Sequence, residues 1–77
     1  MTRTIRRDQA AYTIERINGR WVVIEAAITR RGEVLSASEQ AMPSLEAAAK
    51  LVAAMLRDNP KALFHSRWKA AQEAVRA

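Results

Sequence analysis

The spacing of apolar positions changes period once along the chain. From residue 11 to residue 42 it alternates in twos, and from residue 45 it follows a helical stripe. The stretch "AYTIERINGRWVVIEAAIT" places Asn18-Gly19 between two β-prone runs. That dipeptide tolerates the positive φ angles of a tight hairpin turn, so two antiparallel strands are predicted around it. A two-residue turn sets Arg16 opposite Trp21, Ile14 opposite Val23 and Tyr12 opposite Glu25. Arg31-Gly32 marks the next turn, and "EVLSASEQAM" the third strand, with Thr29 opposite Val34 and Trp21 opposite Met42. One face of this meander then carries Val22, Ile24, Ala26, Ile28, Leu35, Ala37 and Ala41. The other carries Tyr12, Ile14, Arg16, Trp21, Val23, Glu25, Ser36, Ser38 and Gln40. The first face is the expected core, and a one-residue slip would exchange the two.

Pro43-Ser44 ends the sheet, and Ser44 is placed to cap the helix "LEAAAKLVAAMLRD". Leu45, Ala48, Val52, Met55 and Leu56 share one side of that helix, while Glu46, Lys50 and Arg57 share another; Leu51 falls off the main stripe. Asn59-Pro60 predicts a break followed by a second helix capped by Asn59. In that helix Phe64, Trp68, Ala71 and Val75 form an apolar stripe beside a basic one of Lys61, His65, Lys69 and Arg76. The expected fold is α+β: a three-stranded antiparallel β-meander packed by one helix and followed by a C-terminal amphipathic helix, in the order β-β-β-α-α.

Size and composition narrow the classes. Seventy-seven residues make one small domain, read here as 11–77 behind a flexible basic arm of residues 1–10 with Arg3, Arg6 and Arg7. No cysteine is present, so disulfides and thiolate metal sites are absent. The longest apolar runs, "WVVI" and "LVAAML", are far shorter than the roughly 20 residues of a membrane span. No apolar segment follows the basic N-terminus in the manner of a secretory signal, and the protein is expected in the cytoplasm. The net charge of +5 favours a polyanionic partner, although eight acids are interleaved with the thirteen bases.

Catalytic patterns are lacking. His65 is the single histidine, and its neighbour Ser66 would point about 100° away on a helix. No cluster has metal-ligand spacing, and Gly19 and Gly32 are each explained by a turn rather than a phosphate loop. Glu15 and Glu25 fall on opposite sheet faces in the predicted register. An enzyme is not expected, nor a metal or cofactor.

Binding surfaces remain. Arg3, Arg6 and Arg7 with Lys61, Lys69 and Arg76 form a candidate phosphate-binding set, and a solvated helix face explains the last three equally well. Tyr12, Arg16 and Trp21 form a candidate interaction surface that could stack on bases. They could also make a cross-strand cation–π pair, or a floor for the second helix. The segment "GEVLSASEQAMPSLEAAAKLVAAM" resembles the YegP-like stress proteins, without their aromatic-rich strands or tandem repeat. The element order is similar to the three-stranded arm-binding domains of tyrosine integrases, which lay a sheet in DNA. Neither resemblance carries residues over. Two functions stay open. One is a small regulatory or accessory protein that binds nucleic acid. The other is a protein-interaction module using the sheet edge or the aromatic surface, an inhibitor or adaptor of the kind carried by mobile elements and phages. Leu51, Phe64, Trp68, Trp21 and Val23 exceed what one sheet and one helix can cover, so a homodimer is expected.

Overall fold

The computed structural model describes residues 9–77. Its elements are β1 (Gln9–Ile17), β2 (Arg20–Ile28), β3 (Val34–Met42), α1 (Leu45–Asp58), β4 (Leu63–Phe64) and α2 (Lys69–Arg76). The fold is α+β, with one four-stranded sheet in the order β3-β2-β1-β4. β1 therefore begins inside the segment read as a basic arm, at Gln9.

The β1–β2 hairpin closes as its sequence dictates. Asn18 and Gly19 have φ angles of 52° and 77°, the left-handed pair of a type I′ turn. Arg16 pairs with Trp21, Ile14 with Val23 and Tyr12 with Glu25. β2 and β3 are antiparallel from Trp21–Met42 to Ala27–Ser36, after which the register shifts and Ile28 pairs with Val34. Leu35 is thus an extra residue, a bulge that displaces the predicted Thr29–Val34 pairing by one position. Thr29 organises the intervening turn: its Oγ1 accepts from the N–H groups of Arg31 and Glu33, each at 3.2 Å.

The core lies on the sheet face opposite to the one expected. Tyr12, Ile14 and Val23 pack with Ala48 and Val52 of α1 and Ala71 of α2, joined by the partly buried Trp21, Met42, Leu51, Phe64 and Val75. The face with Val22, Ile24 and Ala26 has more apolar positions, but several are alanines. The face with Tyr12 and Trp21 offers larger side chains, and aromatic burial outweighs a count of positions. Val22 is buried at 7 % exposure yet stands apart from the helix-packed cluster. No described element covers its face.

The second correction concerns the C-terminal helix. A helix from residue 60 is replaced by a turn, a short strand and an eight-residue helix. Asn59 caps the end of α1, its N–H donating to the Met55 carbonyl, and Ala62 N–H then donates to the Asn59 carbonyl at 3.0 Å. β4 pairs parallel with β1 at Ala11–Leu63 and Tyr12–Phe64. Beyond it, His65 N–H donates to the Tyr12 carbonyl at 3.1 Å, and the Ser66 hydroxyl donates to the Ile14 carbonyl at 2.7 Å. The reason is backbone accounting. A helix over 61–68 would leave the carbonyls of two core residues, Tyr12 and Ile14, without these donors at the sheet edge. The helix forms only after that need is met. α2 then docks on α1, so Leu51, Phe64, Trp21 and Val23 of the apolar surplus are absorbed within one chain, while Trp68 stays 36 % exposed.

Candidate interaction surface

The basic stripe does not assemble. Lys61 lies in the turn after α1, His65 on the extended segment along β1, and only Lys69 and Arg76 share α2, as its first and last residues. Arg3, Arg6 and Arg7 lie outside the described residues. Tyr12, one of the candidate surface residues, is only 6 % exposed and belongs to the core.

Arg16 and Trp21 form a cross-strand pair, with the guanidinium carbon 5.1 Å from the ring centroid. Trp21 in turn meets Trp68 edge to face, with centroids 5.9 Å apart at an interplanar angle of 77°. Arg67 stands over Trp68 at 5.5 Å and reaches Glu15 with Nε at 3.2 Å, while Trp68 Nε1–H donates to the same Glu15 oxygen at 3.1 Å. The indole hydrogen bond, reinforced by the charge of Arg67, holds the Glu15 carboxyl below its ordinary pKa. The aromatic pair is therefore a clasp tying α2 to the β1–β2 hairpin. Ser66 is fully buried and bonded to Ile14, while the His65 side chain is exposed, so the two do not form a nucleophile–base pair. Among the described residues no group of three or more His, Cys, Asp and Glu converges as a metal site.

The structure brings forward β3 instead. Every residue from Val34 to Ala41 is exposed, although the strand lies in a sheet with helices on one side. Val34 and Leu35 are 63 % and 45 % exposed. α1 packs on β1, β2 and β3, with Met42 of β3 joining the core, while Val34–Ala41 of this outer strand stay exposed. The direction of its backbone groups follows from strand alternation. The carbonyls of Tyr12 and Ile14 face the β4 side, so the intervening residues of β1 face β2. Carried across the paired registers, this sets Ser36, Ser38 and Gln40 toward β2, with the N–H and C=O groups of Ala37, Glu39 and Ala41 turned outward. Exposed edges are commonly blunted by lysine, proline, shortness or a central bulge. β3 has nine residues, no lysine, no proline, one charge at Glu39, and its bulge at the start.

A second feature is a groove at the far end of the sheet. Arg30, Arg31 and Lys61 line it together with Gln9, Thr29 and Asn59. Gln9 ties the groove together by donating its side-chain amide to the Lys61 carbonyl. The segment carrying Arg3, Arg6 and Arg7 joins the fold at this same Gln9. The sequence signal for the cluster was the Arg30-Arg31 dipeptide in a turn, but Lys61 reaches it only through the β1–β4 pairing. The sheet face without helices is unlike a nucleic-acid surface. Ala11, Val22, Ile24, Ala26 and Leu63 dominate it, with Glu15 and Glu39 among its charges. Comparisons with protein-family models, curated proteins and solved structures find no match for this chain.

Proposed function

We propose that this is a small, non-enzymatic, cytoplasmic protein-interaction module that engages another polypeptide by strand addition at the outer edge of β3. One observation carries the reading: from Val34 to Ala41 the strand is exposed throughout, with an outer edge that no described strand occupies. Such an edge supplies main-chain hydrogen bonds to an incoming strand, while exposed side chains on alternate positions select it. No helix among the described residues is long and apolar enough to cross a membrane.

A second reading, a regulatory protein that binds nucleic acid, is favoured by the groove of Arg30, Arg31 and Lys61, where the basic N-terminal segment joins. Phosphate contacts position such proteins without a base-reading face.

A differential pull-down from the native host separates the two. Proline at position 37 removes an outward N–H and so costs the sheet no bond of its own. Ala37→Pro is expected to lose the captured protein and to leave any captured nucleic acid in place. Arg30→Ala, Arg31→Ala and Lys61→Ala combined are expected to do the reverse. A protein catch unchanged by Ala37→Pro overturns the strand-addition reading.

A further inference from the structure

We infer that the occupant of the β3 edge is a second copy of this chain, paired antiparallel about a two-fold axis at Ser38. This rests on the strand-addition reading and names its partner. The argument is one of register. A two-fold perpendicular to the sheet pairs residue with residue so that their numbers have a constant sum. Main-chain bonds form only when outward-facing residues meet outward-facing residues. On β3 these are Ala37, Glu39 and Ala41, so the sum is even and the axis passes through a residue.

Three positions are then available near the middle of the strand. An axis at Glu39 sets Glu39 against its own copy, and like charges directly opposite are destabilising. An axis at Ala37 brings the β2–β3 turn, which begins at Thr29, against Met42, so the strand overlap is shortened. An axis at Ser38, the midpoint of Val34–Met42, overlaps the whole strand. It pairs Ala37 with Glu39 twice, exchanging about four main-chain hydrogen bonds. It sets Ser36 against Gln40 and Ser38 against Ser38, small or neutral polar partners. It also brings Val34 and Leu35, among the most exposed large apolar residues, beside Met42 and Ala41 of the second copy. The result is one continuous sheet of eight strands, with both pairs of helices on one side. Edge pairing alone makes a modest interface, so a dissociation constant near the micromolar range is expected.

Ser38 is the residue that meets itself, and this gives the test. It is exposed, but Glu25 lies opposite it on β2, so each variant is first checked for an unchanged fold by circular dichroism and unfolding before association is compared. Sedimentation equilibrium is expected to show a dimer for wild type. Ser38→Lys and Ser38→Glu should each weaken self-association about fivefold or more. An equimolar mixture of the two should recover a dimer at least as tight as wild type. Amide exchange at Ala37 and Glu39 should slow on association. Wild type that stays monomeric at several hundred micromolar overturns the second-copy proposal while leaving the strand-addition reading to its own test. A dimer indifferent to Ser38→Lys, Ser38→Glu and Ala37→Pro is joined elsewhere and likewise overturns the second-copy proposal, the pull-down still deciding the strand-addition reading.

Discussion

Ser66 does at the residue scale what no large side chain could. Its hydroxyl donates to the Ile14 carbonyl at 2.7 Å and accepts from Trp68 N–H at 3.2 Å, with no exposure to solvent. Ser66→Ala leaves a buried carbonyl and a partly buried N–H without this partner. It is expected to cost about 1–3 kcal/mol, read from the denaturant midpoint with a conserved slope. Glu15 is the titrating counterpart. Accepting the Trp68 indole N–H and facing Arg67, it has a folded pKa below its unfolded one. Its contribution is therefore present above the unfolded value, about 4.3, and is lost as pH falls through the folded one. Glu15→Gln should lower stability at neutral pH, and the gap from wild type should close as pH drops below about 4. A gap constant across that range would mean that the carboxylate charge is irrelevant to the clasp. Ser66 and His65 were legible as neighbours that fail to face each other. The geometry responsible differs, because on extended chain successive side chains point to opposite sides.

At the scale of elements, legibility divides between local and distant information. α1 was readable to the residue, from Ser44 to Asp58. Its cap is local, with the Ser44 hydroxyl accepting from Ala47 N–H at 3.0 Å, and its period is unbroken. Ser44→Ala should cost about 1 kcal/mol, measured by thermal or chemical unfolding, with self-association at matched folded concentration unchanged. The β1–β2 hairpin was equally readable, because Asn18-Gly19 admits few other conformations. α2 was not. Residues 61–68 satisfy a helical stripe taken alone, but their fate is set by the Ile14 carbonyl, 52 positions away, and by the Tyr12 carbonyl on the same strand. A single-sequence pattern holds no trace of that demand. The inverted sheet is a subtler case. The predicted register holds for β1–β2 and from Trp21–Met42 to Ala27–Ser36, failing only at the Leu35 bulge, yet the choice between the two faces turns on side-chain volume and on where Phe64 and Trp68 land.

At the scale of the whole molecule, the sequence points to a sheet edge as a possible interaction surface without saying which strand supplies it, and it does not show the Arg30, Arg31 and Lys61 groove. β3 read plainly as a strand. That it is an edge depends on β4 settling beside β1 rather than beside β3. The Arg30, Arg31 and Lys61 groove joins a hairpin turn to the segment after α1, and the same β1–β4 pairing makes it. One short parallel pairing thus positions both surfaces. It also leaves the sheet with unequal sides, since the β1 side is occupied by residues 63–66 and the β3 side by no described residue. In the language of polymer chemistry, such a chain is a monofunctional unit. On the proposed pairing two of them couple, and the product ends at both sides on the two-residue β4, too short to template another strand, so growth stops at two. A unit open on both sides would be bifunctional and would extend into a fibre. The segment from Leu63 to Ser66 therefore acts as a terminator, and it decides how many chains can join through β3 without touching β3 itself.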